Sequence, residues 1–237
     1  MTSFLLKIIG IITMLCDHVG DSIIGAFSNW NLIGRIAFPI FAFQISQGYI
    51  HTRDLKKYLL RLTIFACISQ IPFCLFLSTF NDSFTLNIFF TFVLAIIGLY
   101  LFDKIKSKFI GLLFVLLICH VGQLIHVDYG AFGIGSVFIF YLFSKLYNNE
   151  NISAKRKWFY KVLMCITYFI MCMLKYLYYF IYVPVLNQVY IKMTLFTFLP
   201  ILLIIFYNGR QGPKLKYLFY VFYPLHLIIL WAMHTFI

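Results

Sequence analysis

Apolar stretches of about span length follow one another along the whole chain, joined by short linkers. They cover 4–25, 31–50, 58–80, 84–102, 109–126, 129–147, 158–183, 189–207 and 217–237. A helix crossing a bilayer needs about 20 such residues. No sizeable soluble domain is left over, and the longest polar piece, Asn148 to Lys157, reads as a loop. Composition agrees, with 63% of residues apolar and 11% charged; soluble domains run about 45–50% and about 25%. Strand-type alternation is absent, which excludes a β-barrel. The expected fold is all-α: a polytopic integral membrane helical bundle of about nine transmembrane helices, forming one domain over 1–237. The first stretch reads as a retained span rather than a cleaved signal, because no basic residue precedes its apolar run.

The formal charge of +12 would suggest nucleic acid in a soluble chain. Here no basic domain remains to bind it, so the bilayer is the expected partner and nucleic acid is not. Fifteen of the 19 Lys and Arg lie in the linkers 51–61, 103–108, 145–161 and 207–216. The alternate linkers, 26–30, 81–83, 127–128 and 184–188, carry none. This alternation follows the positive-inside rule for an N-terminus in and a C-terminus out. The six cysteines all lie in apolar runs and none forms a C-x-x-C pair. They read as small buried apolar residues. The six histidines lack metal-ligand spacing, so no metal is expected.

Polar residues inside spans are costly, about 2.5–3.5 kcal/mol for a charge at mid-bilayer, and so point to function. Lys175 and Lys192 are close enough to span ends to snorkel to the interface. The first span is different. His18 lies roughly 16 Å along the helix from Lys7, about half the hydrocarbon thickness. Eleven residues make close to three turns, so Lys7 and His18 share a face; Asp21 reaches the same face, and Asp17 points about 100° away. The bland alternative is a histidine hydrogen-bonded between helices. In the second span Pro39 deprives the Arg35 carbonyl of its helical partner, which predicts a kinked polar patch. Asn87 opens the fourth span, Asp128-Tyr129-Gly130 forms a tight outer turn, and His226 lies near the middle of the last span behind Tyr223-Pro224. By depth alone, Asp17, His18, Arg35, Asn87 and Asp128 fall in the outer half and His226 near the middle. Together they outline a candidate polar cavity open outward, with Lys7 marking a route from the cytoplasm.

Lys7-Ile8-Ile9 leads to Met14-Leu15-Cys16-Asp17-His18, and Gly34-Arg35-Ile36-Ala37-Phe38-Pro39-Ile40-Phe41-Ala42-Phe43 follows. Then come Gly48, His51-Thr52-Arg53, Tyr58 with Arg61, Ser69 with Pro72, and Leu86-Asn87 with Thr91. Asp128-Tyr129-Gly130 with Gly133, Tyr207-Asn208-Gly209 and Phe222-Tyr223-Pro224-Leu225-His226 complete the series. In order and spacing these pieces resemble the TraX family of membrane proteins from end to end. The name-giving member of that family acetylates the N-terminus of F-type pilin. Lys7 and His18, with ten residues between them, also resemble the first-helix signature of the wider transmembrane acyltransferase group, which includes the acyltransferase-3 proteins and the lysosomal glucosaminide acetyltransferase.

The resemblance implies a multi-pass protein of the bacterial cytoplasmic membrane. Such a protein would move an acetyl group from cytoplasmic acetyl-CoA to an amine or hydroxyl of a peptide N-terminus or envelope glycan. His18 would be the general base. Asp21 by helix geometry, or Asp17 by family pattern, would orient it. Arg35 and Asn87 are candidate oxyanion donors or acceptor ligands, His226 is a second acid/base, and Asp128 joins the catalytic set. Lys7, Arg61 and Arg210, with Asn208 and the backbone N–H groups of the turn to Pro213, would meet CoA phosphates. Positive-inside bias alone also accounts for Arg61 and Arg210. The rival reading is a transporter or flippase that uses the same buried polar residues as a translocation path. Against it, the chain has no paired discontinuous segments in two related halves. Neither the acceptor nor the oligomeric state is encoded legibly.

Overall fold

The computed structural model describes residues 1–25, 27–80, 83–182, 187–213 and 216–236. Lys214 of the last basic linker, and parts of the turns 26–30, 81–83 and 184–188, lie outside them. Among the described residues, regular structure is helical apart from one bridge between Leu86 and Val127. Helices α1 (Ser3–Val19), α2 (Asn29–Gly34), α3 (Ala37–His51) and α4 (Leu55–Leu77) come first. They are followed by α5 (Ile88–Lys104), α6 (Lys108–Leu124), α7 (Gly130–Tyr147) and α8 (Ala154–Tyr182). Last are α9 (Asn187–Phe198), α10 (Ile201–Ile205) and α11 (Lys216–Phe236). Each apolar stretch read from the sequence falls on one of these helices or on a broken pair.

Ser3–Ile24, Leu55–Leu77, Gly130–Tyr147, Ala154–Tyr182 and Gln188–Ile205 are long and apolar enough to cross a membrane. Lys108–Leu124 and Tyr220–Phe236 are shorter apolar helices. Exposure follows lipid rather than water. On α6 the buried positions are Gly111, Val115, Ile118 and Gly122, one stripe of small and branched residues. Its exposed side carries Phe109, Leu113, Leu116, Leu117 and Leu124. An aqueous helix would turn those side chains inward. In a bilayer the lipid already satisfies them, and close backbone approach drives packing instead.

The breaks have local causes. α2 ends at Gly34 and α3 begins at Ala37. The interruption falls at Arg35, whose carbonyl Pro39 leaves without a helical donor. Pro200 stands between α9 and α10 in the same way. After Val19 the first helix widens into a π-helical segment, Gly20–Ile24, and stops at Gly25, whose φ of +118° suits glycine.

The chain divides into two compact units. One comprises Met1–Phe41, Pro72–Asp82 and Cys165–Ile237. In it α1 packs on α2 and α11, and α2 packs on α9. The other comprises Ala42–Ile71 and Ser83–Met164, where α5, α6 and α7 pack on one another. Its core includes Phe43 and Phe140, whose rings meet edge to face at 5.8 Å.

Candidate active site

In the first unit, α1 carries His18 toward His226 of α11. His18 Nδ1 and His226 Nε2 are 2.7 Å apart, and the ring planes differ by 4°. The ring centroids are 5.0 Å apart, nearly twice the N···N distance. The two nitrogens therefore lie between the ring centres, and the rings meet edge to edge in one plane, the best geometry for a hydrogen bond. His226 Nδ1 is 2.7 Å from the Phe222 carbonyl oxygen one turn earlier on its own helix. That oxygen can only accept, so His226 Nδ1 carries the proton. With both rings neutral, His226 Nε2 then accepts from His18 Nδ1–H, and His18 Nε2 is left with its lone pair. The hydrogen-bond chain thus fixes the tautomer of the imidazole that the sequence offers as a candidate base.

The wall around this pair is aromatic. Phe76 lies 4.8 Å from the His18 ring, and Phe222 and Tyr223 lie 4.7 and 5.9 Å from that of His226. The Ser22 hydroxyl donates to the His18 carbonyl at 2.8 Å, and His234 Nδ1 lies 2.6 Å from the Ser22 carbonyl. Both contacts anchor the π-helical end of the first helix.

Asp17 faces α2, as the 100° offset from His18 requires. Arg35 Nη2 donates to both of its carboxylate oxygens, at 2.6 Å for Oδ2. The Asn31 side-chain N–H group donates to the Asp17 carbonyl at 3.0 Å, to Asp17 Oδ1 at 3.2 Å and to Asp21 Oδ1 at 2.7 Å. Its oxygen accepts from Ser28 N at 3.0 Å and Ser28 Oγ at 2.9 Å. Arg35 Nε also donates to the Asn31 carbonyl at 3.3 Å. These bonds of Asp17 and Asp21 run to Arg35 and Asn31, while the ring of His18 is bonded to His226. The expected carboxylate orienter of His18 is replaced by an imidazole. Two glycines allow the close approach: a Cβ at Gly34 would run into the Asp17 side chain, and one at Gly20 would lie 2.8 Å from Asn31 Nδ2. Asn31 escapes a reading by depth and charge; its signal is Ser28 three residues before it, the spacing of a capping box.

Two of the candidate CoA contacts on this unit, Asn208 and Arg210, lie on a turn that is bonded to the start of α1. Ser3 and Phe4, in the first turn of α1, donate their N–H groups to the carbonyls of Arg210 and Gln211 at 2.9 and 3.0 Å. Asn208 N donates to the Met1 carbonyl at 3.0 Å, and Asn208 Oδ1 accepts from Arg210 N at 3.1 Å. The turn is thus stitched to the start of α1, with Lys7 about one turn further along. Two of the backbone N–H groups expected to cradle a phosphate, those of Asn208 and Arg210, are engaged within the protein, and the Arg210 side chain is exposed.

Asn87, Asp128 and Arg61 belong to the second unit. Asn87 is fully buried. Its oxygen caps α5 by accepting from Phe89 N at 3.0 Å, and its N–H group donates to the Ala66 carbonyl at 2.7 Å and to Gln70 Oε1 at 2.9 Å. Both amide protons are engaged, so Asn87 serves here as a helix cap and interhelical clamp rather than an oxyanion donor. Asp128 shapes its turn through its main chain: its N–H donates to the Leu86 carbonyl at 2.8 Å, and its carbonyl accepts from Thr91 Oγ1 at 2.5 Å. Tyr129 and Gly130 both take positive φ, 61° and 48°, at the tight turn. The Arg61 guanidinium lies over the Tyr58 ring at 5.6 Å.

The family model described as TraX protein matches residues 3–234. A curated protein named probable fimbrial assembly protein FimC, serogroup H1, from Dichelobacter nodosus, is 28% identical over 252 aligned positions, covering 100% of this chain and 97% of that protein. No solved structure matches the chain.

Proposed function

Because the chain belongs to the TraX family, we propose that it is a multi-pass acetyltransferase of the bacterial cytoplasmic membrane, with its N-terminus in, its C-terminus out and His18 as its general base. The observation that carries this reading is the His18–His226 pair, which leaves His18 Nε2 with an unshared lone pair on a costly, membrane-depth imidazole. A neutral amine or hydroxyl of the acceptor attacks the thioester carbonyl of acetyl-CoA. The new bond to the carbonyl carbon forms, the carbon–sulfur bond breaks, and His18 Nε2 takes the acceptor's proton and passes it to the departing thiolate. While His18 holds that proton, His226 Nε2 accepts from its Nδ1–H and supports the charge. Arg35 is neutralised by Asp17 and supports the reaction by shape, holding α1 against α2. Lys7 and Arg210 would meet the phosphates of CoA from the cytoplasmic side.

The similar protein of D. nodosus bears the name of a fimbrial assembly protein, so a pilin-type peptide N-terminus is the first acceptor to test, before envelope glycans. The test uses the purified full chain in lipid nanodiscs with radiolabelled acetyl-CoA and a synthetic pilin N-terminal peptide. Labelled peptide and free CoA thiol are expected from the wild type, and His18→Ala should lower the rate at least about a hundredfold, the low end for general-base catalysis. Full transfer by His18→Ala would refute the base assignment. Solute flux through vesicles without acetyl-CoA binding would establish the transporter reading instead.

A further inference from the structure

Two carboxylates of the first unit share one guanidinium. Asp17, near the end of α1, takes the Nη2 group of Arg35 on both of its oxygens. Asp21 lies in the π-helical segment that follows. Among the described residues it forms no ion pair, and its carboxylate accepts one hydrogen bond, from Asn31 to Oδ1 at 2.7 Å. One surplus negative charge is left beside the membrane, where an ionised group is costly and points to function. The Asp21 side chain is half-buried, so it is not sealed off from a ligand. Asn31 is 1% exposed and is itself bonded by Ser28 N and Oγ. It therefore fixes the carboxylate through Oδ1 and leaves Oδ2 without a partner among the described residues.

A second feature adjoins these bonds. Phe27, one residue before Ser28, is 45% exposed, and its ring meets that of Tyr190 edge to face at 6.3 Å. Tyr190 in turn stacks on Tyr179 at 4.3 Å, with the planes 5° apart. The turn holds Phe27 at a φ of 67°, a left-handed backbone that disfavours a bulky residue. Carboxylates and aromatic faces are the groups that attract an ammonium. All of these residues belong to the first unit, as His18 does. Asp21 follows His18 by three residues, about 4.5 Å of helix rise. Building on the acetyl-transfer reading, we propose that Asp21, held by Asn31 and assisted by the Phe27 ring, receives the acceptor as a primary ammonium, so that the substrate is an amine and not a hydroxyl. The ammonium cedes one proton to the Asp21 carboxylate. The neutral amine then attacks the thioester, His18 carries its second proton to the thiolate, and Asp21 returns the first to the outer solution.

A peptide amine, with an ordinary pKa of about 7.7–8.0, is mostly protonated at neutral pH. The experiment uses the full chain in phosphatidylcholine nanodiscs, whose neutral surface does not itself attract the probe, and no acetyl-CoA. Calorimetry compares the synthetic pilin N-terminal peptide with the same peptide carrying a hydroxyl in place of its N-terminal amine. The wild type is expected to hold the amine peptide about tenfold tighter, equivalent to about 1.4 kcal/mol. Asp21→Asn keeps the size of the side chain and an oxygen for Asn31, and should erase that preference. Phe27→Leu keeps apolar bulk without a ring face and should reduce it to about fourfold or less; it keeps the test decisive if Asp21→Asn fails to fold. Equal affinities in the wild type, a preference retained by Asp21→Asn or unchanged in Phe27→Leu, or no measurable binding of either peptide would overturn the assignment. With acetyl-CoA added, transfer to the hydroxyl peptide as fast as to the amine peptide would overturn it too and leave His18 standing as the base. If the wild type prefers the amine peptide yet transfers no acetyl group, the ammonium site stands and the acetyl-transfer reading falls.

Discussion

Breaking the Asp17–Arg35 pair should cost the fold far more than a surface ion pair would. The Arg35 and Asp17 side chains are only 24% and 10% exposed, whereas exposed pairs contribute about 0–1 kcal/mol. Charges about 4 Å apart attract by about 4 kcal/mol at an effective dielectric constant near 20. Removing one partner strands the other, which costs about 3–5 kcal/mol. The two directions are unequal. Arg35→Gln leaves the more buried Asp17 alone with Asp21 on the same Asn31 amide, so it should cost about 4 kcal/mol. Asp17→Asn leaves the guanidinium, which water reaches more easily, and should cost about 3 kcal/mol. The double variant removes both charges, so its loss should fall short of the sum of the singles by about 2–3 kcal/mol. Unfolding in mixed micelles titrated with dodecyl sulfate, followed by helical circular dichroism, measures all four proteins. Additivity within about 0.5 kcal/mol would refute the coupling. Unaltered midpoints in both singles would show that the pair does not hold α1 to α2 at all.

Two further outcomes follow from named contacts. His226→Phe removes the acceptor for His18 Nδ1–H and should lower single-turnover acetyl transfer by about a hundredfold; His226→Gln, whose oxygen can still accept that proton, should recover part of the loss, and equal rates in the two variants would exclude a role in setting the tautomer. Asp103, at the end of α5 and beyond its apolar run, is raised by burial. Hydrogen bonds from Lys145 at 2.8 Å, Tyr141 at 2.6 Å and Tyr49 at 3.0 Å outweigh this and hold its carboxyl below the usual carboxylate range. A lowered folded-state value means that the unfolded chain binds the proton first, so this stability is present above the ordinary value of about 3.9 and is lost as pH falls through the folded one. Unfolding midpoints of wild type should therefore decline in that acid range more steeply than those of Asp103→Asn, and parallel curves would refute the assignment.

The parts legible in the sequence are those that lipid dictates. Apolar stretches become helices because their backbone groups must be satisfied internally, and Pro39 announces the interruption at Arg35 by withdrawing a donor. The helical angle of about 100° per residue already separates Asp17 from His18. Other features are not legible. Spacing along one helix fixes depth but not which neighbour a face meets, so the meeting of His18 with His226, 208 positions away, has no local signal. Depth offers Asn87 as an oxyanion donor or acceptor ligand, yet the start of α5 needs a cap, and two α4 groups, Ala66 and Gln70, take its protons. The carboxylates near His18 read as its partners because carboxylates usually orient catalytic histidines. Here the stronger demand is for a counter-charge to Arg35.

That demand also explains why an imidazole stands where a carboxylate is usual. A neutral His226 can accept from His18 while donating to the Phe222 carbonyl, so both of its ring nitrogens are used and no net charge is introduced at membrane depth. An aspartate in its place could not donate to that carbonyl, and would bring a permanent anion that the Asp17–Arg35 pair, on another face of α1, has no spare cation to balance. In a low-dielectric setting an uncompensated charge costs more than a weaker orienting bond loses. One helix therefore keeps its obligatory ions on the face toward α2, paired with one another, and presents to α11 a neutral imidazole whose proton positions are set by hydrogen bonds alone.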